Sequence, residues 1–171
     1  MSTVTTALCK TFKEELLKGV HDFTSNTFKL ALIKGTPTDA YGEDTKSYNN
    51  AAHTSAGEAL KITNDDEHVY NASPGNLGAG YNNTGGITLS GASVSLDSSS
   101  GRAFVDFSAD PQLTTATIDS LGCLIYNDSA TGKPAVCTIG FGSIQSADNG
   151  TFTITFPAPG GTGSNALVRI T

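Results

Sequence analysis

Tryptophan is absent from this chain, and charge is scarce: Asp, Glu, Lys and Arg make up 15% of its 171 residues. Lys and Arg total ten, form no run, and leave a net charge of −6. Proteins that grip a phosphate backbone concentrate basic residues, so nucleic acid is excluded as the expected partner. No apolar run reaches the roughly 18 residues of a spanning helix, so no membrane partner is expected. The sequence also lacks H-E-x-x-H, C-x-x-C and G-x-S-x-G. Those absences remove the commonest zinc, redox and serine-nucleophile signatures. Its start, "MSTVTTALCKTFKEELL", has no basic segment followed by an apolar one. Synthesis in a cytosol is therefore expected, where thiols stay reduced. The three cysteines cannot all pair within one chain, which points the same way.

What is present is glycine (19 residues), with abundant serine, threonine and asparagine. Low charge with glycine-marked turns favours an all-β domain, and the length suits one domain over residues 1–171. One helical period is clear. Leu8, Phe12, Leu16 and Val20 recur every fourth residue, with Leu17 widening the stripe, and predict a helix over 7–20. Thr5 or Thr6 would cap it, acids sit early, and Gly19 would end it. Its apolar face is expected to pack on the domain's own core.

"NTFKLALIKG" predicts a strand from Thr27 to Lys34. Residues 35–80 lose all period and read as an irregular excursion or contact arm, with "EALKIT" and "HVYNA" as short strand candidates. Regularity returns at Ile87 and Leu89, then Val94 and Leu96. "SSSGR" reads as a turn, "AFVDFSA" as a strand and "DPQLTTATIDS" as an irregular link. "LGCLIYND" and "AVCTIGFG" form a hairpin, "GTFTITFPA" alternates with Phe152, Ile154 and Phe156 on one face, and "ALVRIT" closes the chain. The predicted fold is mainly β: an antiparallel β-sandwich, jelly-roll-like, with one N-terminal amphipathic helix.

The chemistry-bearing residues assemble into no catalytic, cofactor or metal site. His21, His53 and His68 are not spaced as ligands. "NDDEH" (Asn64–His68) lacks the glycine and terminal glutamate of a calcium loop and reads as a solvated turn. "GAGYNN" misses the third glycine of a dinucleotide fingerprint. Asp106 and Asp110 show no sign of forming a carboxylate pair. The N-x-S/T triplets at Asn71, Asn82 and Asn127 matter only in a secretory setting. A hairpin turn centred near Ala130 would set Cys123 opposite Cys137 and Ile125 opposite Ala135 on an apolar face. Two thiols there act as small hydrophobes; a disulfide is geometrically open but disfavoured by cytosolic synthesis.

In order, the segments Phe28–Leu32, Gly80–Gly86, Ala103–Phe107, Leu124–Asp128 and Gly150–Pro157 resemble those of small structural proteins of tailed bacteriophages. Residues 36–76 depart from that pattern. The resemblance implies a non-enzymatic virion protein of the capsid-decoration (cement) type. It would be made in the bacterial cytoplasm and sit on the head exterior. It would be a homotrimer that clamps neighbouring copies of the major capsid protein. Alternatives are a tail, collar or fibre-associated subunit, and a carbohydrate-binding or hydrolytic sandwich using Tyr41, Tyr48, Tyr70 and Tyr81 as stacking platforms.

Overall fold

Threonines Thr5 and Thr6 do not cap a helix; they fasten the chain to a sheet. The computed structural model describes residues 3–37, 39–48, 61–62, 81 and 85–171. In it, β1 (Ala7–Leu8) pairs antiparallel with Thr138 and Cys137. The Gly140 N–H donates to Thr6 Oγ1, and Thr138 Oγ1 donates to the Thr5 carbonyl. Helix α1 therefore spans only Lys10–Leu17, shorter at both ends than the expected 7–20. Cys9 stands at its start without a side-chain cap, and its first turn holds no acid. The stop is as expected: Gly19 takes φ +70 and its N–H donates to the Leu16 carbonyl.

The helix packs on its own domain through Phe12, which is buried. The Phe12 ring lies 4.9 Å from that of His21 and 6.2 Å from that of Phe23. Phe23 stacks on Phe28 at 4.3 Å. Leu17, expected to widen the apolar stripe, is instead 91% exposed.

The principal sheet has the order β1-β9-β8-β2-β5. Strand β2 (Phe28–Lys34) lies between β8 (Gln112–Asn127) and β5 (Ile87–Thr88). Strand β9 (Ala135–Thr153) flanks β8 on the other side. β2 is covered on both faces, so Leu30, Ala31, Leu32 and Ile33 are all buried, the near-continuous apolar run of a central strand. The link expected at "DPQLTTATIDS" is strand for most of its length. Its hydroxyl-rich half of β8 pairs with β9 through register shifts around Ala116, where Thr115 takes φ +58. Those bulges break the period-two pattern and hide the strand from sequence.

The smaller antiparallel sheet runs β10-β7-β6: β6 (Ala92–Asp97), β7 (Arg102–Phe107) and β10 (Val168–Ile170). A two-residue parallel pair, β3 (Ser47–Tyr48) with β4 (Lys61–Ile62), completes the set. The two larger sheets meet where Phe107 approaches Phe28 (6.4 Å) and Phe156 (6.0 Å). The fold is mainly β and sandwich-like, with one short helix, as the sequence predicted.

The described parts of the 35–80 excursion fold back on the domain. Tyr41, Thr45, Ser47 and Tyr48 are buried, and Tyr48 stacks on Tyr126 at 4.5 Å. "EALKIT" contributes Lys61 and Ile62 to β4; "HVYNA" and "NDDEH" lie outside the described residues.

Candidate functional site: an apolar sheet face and its groove

The residues singled out for chemistry are dispersed into structural roles. His21 is buried, with Nε2 3.0 Å from Glu15 Oε2 and its ring against Phe12. His53 and His68 lie outside the described residues. Asp110 Oδ1 accepts the Phe156 N–H at 2.8 Å, fixing the chain beyond β9. Asp106 lies on β7 opposite Ser93, four residues from Asp110 and in a different role. Asn127, a candidate modification acceptor, is buried; its Nδ2 donates to Asn26 Oδ1 at 2.7 Å and to the Val20 carbonyl at 3.2 Å. Asn71 and Asn82 are outside the described residues. Among the described residues no group of His, Cys, Asp and Glu is placed to hold a metal.

The tyrosines are core rather than platform. Tyr41 and Tyr48 are among the largest fully buried side chains. Tyr81 Oη accepts the Leu32 N–H at 2.8 Å on the edge of β2, and burial raises its pKa. Tyr70 is outside the described residues. Neither buried ring offers an open face to a sugar.

Cys123 does not oppose Cys137. Cys123 faces Ile139, and Ile125 faces Cys137. Asn127 Oδ1 accepts the Ser129 and Ala130 N–H groups, Lys133 takes φ +44, and a register shift follows Ile125. Together these move the pairing by two residues, which keeps the apolar face and changes only the partners. All three cysteines are free and buried. Burial, with Glu15 adding to it, raises the Cys9 thiol to about 12, and burial raises Cys123 and Cys137 as well.

Beside the hairpin, Asp128 bridges Lys29 (2.7 Å) and Lys133 (2.9 Å). Partial burial works against its charge, but these two ammonium groups hold its carboxyl below the usual range. Lys133 also lies 5.7 Å over the Tyr48 ring. The cluster closes one end of the principal sheet. Asp128 and Lys133 share one turn, but Lys29 joins them from about a hundred residues away, so no spacing in the sequence announces the cluster.

Among the described residues, an apolar surface is left open on the small sheet. One face carries the rows Val94-Val105-Val168 and Leu96-Ala103-Ile170. Val105 and Val168 are buried, whereas Val94, Leu96 and Ile170 are 53%, 67% and 50% exposed. A groove of about 320 Å³ runs between this face and α1, lined by Phe12, Leu16, His21, Val105, Val168 and Ile170 among others. Exposed Leu17 stands on the same helix as Phe12 and Leu16. Period-two alternation correctly put Val94 and Leu96 on one face, but it could not show that nothing in the described chain covers them. A second, hydroxyl-rich groove of about 540 Å³ runs along β9, lined by Thr151, Thr153 and Thr155 beside Phe141 and Phe152.

Fold and surface together define a mainly-β, sandwich-like protein in which Val94, Leu96 and Ile170 are exposed on one sheet face. Comparison with known proteins finds no matching family model, no matching curated protein and no matching solved structure.

Proposed function

We propose that this chain is a non-enzymatic structural protein of a tailed-bacteriophage virion. It decorates the outside of the head as a homotrimer and clamps neighbouring major capsid subunits. The observation that supports this reading is where the resembling segments fall. Phe28–Leu32 lies in β2, Ala103–Phe107 in β7, Leu124–Asp128 spans the end of β8, and Gly150–Pro157 the end of β9, while Gly80–Gly86 lies mostly outside the described residues. Four of the five resembling segments therefore fall in framework strands, in the same order. A clamp works through interfaces rather than reactive groups, and repeated contacts multiply a modest affinity over a shell. The exposed apolar face is suited to that use.

Two experiments test the proposal. Imaging of purified virions is expected to place the chain on the head exterior in high copy number. Adding the protein back to stripped capsids is expected to raise their temperature of thermal disruption. Absence from the head, or about a dozen copies at the neck or tail, would replace the decoration role with that of a collar or tail subunit.

A further inference from the structure

Strand β6 is an unusually open edge. Among the described residues it pairs only with β7, and its six residues do so one to one with no register shift. It carries no proline and no lysine, the devices that commonly blunt a sheet edge. The free side of β9 differs: Gly142 and Asn149 take φ +79 and +48 there and interrupt the edge. β5 and β10 offer only two and three residues.

The groups that β6 presents can be worked out. Ser108 N–H donates to the Gly91 carbonyl, and Gly101 N–H to the Asp97 carbonyl, so odd-numbered residues of this strand point their backbone groups towards β7. Backbone groups alternate in direction along a strand, so Ala92, Val94 and Leu96 direct theirs outward. An antiparallel partner with the same strand must match even residues with even residues. That parity also brings the exposed apolar side chains of the two copies onto one face.

We propose that β6 pairs antiparallel with β6 of a second copy of this chain about a two-fold axis at Ser95, joining the two small sheets into one. Val94 then faces Leu96 of the other copy, each such pair exchanging both backbone hydrogen bonds. Ser95 faces its own counterpart across the close, non-hydrogen-bonded position. Ser93 faces Asp97, so no like charges meet. The Asp97 carboxylate folds back on the following turn at the surface, accepting hydrogen bonds from Ser99 Oγ at 2.7 Å and Ser100 Oγ at 2.6 Å. The contact is isologous, so each β6 takes one partner, and in a homotrimer it would join a protomer of one trimer to a protomer of another. It uses β6 alone and does not depend on the decoration role.

Cross-linking of the full chain tests both contact and register. Ser95→Cys is expected to give a covalent dimer on a non-reducing denaturing gel after mild oxidation, with the native thiols buried and silent. In Ser93→Cys the two new thiols lie on residues about 13 Å apart along the strand, beyond disulfide reach, so its yield is expected to be at least about tenfold lower. Adding Leu96→Lys to Ser95→Cys is expected to reduce the dimer to the Ser93→Cys level. Leu96 is largely exposed, and an unchanged circular dichroism spectrum would confirm that the fold survives. Equal yields from the two cysteine variants, or a Ser95→Cys dimer indifferent to Leu96→Lys, would overturn the proposal. So would an unreactive Ser95→Cys.

Discussion

The principal and small sheets are written in similar alternating sequence but finished differently. In the principal sheet, β2 and the second half of β8 are enclosed on both faces: Leu30, Leu32, Leu124 and Ile125 are wholly buried. Each such side chain contributes about 1.5–3 kcal/mol from burial. In the small sheet only β7 and the start of β10 are enclosed, and β6 keeps Val94 and Leu96 in the open. The difference is one of neighbours rather than of pattern. β2 has strands on both sides, Phe23 stacked on its Phe28 and the Tyr48–Tyr126 stack at its flank; among the described residues β6 has β7 alone. A strand's pattern states which face it offers, and the surrounding chain decides whether that face is taken.

The sharpest way to break this contrast is chemical. The three native thiols belong to the principal sheet or the residue leading into α1, and all are buried. For Cys9 the rise from 9.0 to about 12 alone cuts the thiolate fraction near neutral pH about a thousandfold. A thiol reagent is expected to find none of them quickly in the native protein, all three after denaturation without reductant, and a Ser98→Cys thiol beside β6 at once. Two thiols that stay blocked after denaturation would reinstate a disulfide.

Substitutions rank next. Leu124→Ala is expected to cost about 2–5 kcal/mol in urea unfolding, because β8 is held on both sides and cannot collapse onto the cavity. Val94→Ala, on the exposed face, is expected to stay within about 0.5 kcal/mol. Similar losses at the two positions, measured where the protein is monomeric, would mean that this face of β6 is covered within one chain.

Two glycines sharpen the comparison at the level of backbone. Gly86 takes φ +84, and a Cβ there would lie 2.0 Å from the Leu30 carbonyl oxygen in β2. Gly101, in the β6–β7 turn, takes φ +73 with nothing within 4 Å. Gly86→Ala is expected to cost about 3 kcal/mol or more, combining strain with a collision. Gly101→Ala is expected to cost only the conformational term, about 1 kcal/mol. Thermal denaturation of both variants reads the difference.

Acid should treat the two regions alike. Asp97 is held at about 2 by the Ser100 and Ser99 hydroxyls and the Ser99 N–H. Asp22 is held at about 2 by Ser25 and Thr24. A carboxyl whose folded pKa lies below its ordinary 3.8 adds stability that is present above about pH 4 and lost as pH falls through 2. Asp97→Asn and Asp22→Asn are each expected to flatten the fall in melting temperature between pH 4 and 2 by a similar, small amount. A markedly larger effect at Asp22 would tie that turn to the packing of the α1 end. The smallest effect is expected at exposed Leu17: Leu17→Ser should leave stability unchanged within about 0.5 kcal/mol.

The sequence by itself determined the β class, the strand at Phe28–Lys34, the stop at Gly19 and the common apolar face of Cys123 and Ile125. Each follows from side-chain period or from a backbone angle that glycine adopts without strain, and both are local. Tertiary structure decided the rest. It took Ala7 and Leu8 from the helix, because their backbone groups found β9. It made "QLTTATIDS" a strand by bulged pairing that no period reveals. It set Cys123 against Ile139, because the turn at Asn127–Lys133 and one extra residue fix the register. It buried Tyr41 and Tyr48 and left Val94 and Leu96 open. Burial is a property of what arrives from elsewhere in the chain, and contacts between residues tens of positions apart leave no trace in the spacing of either partner.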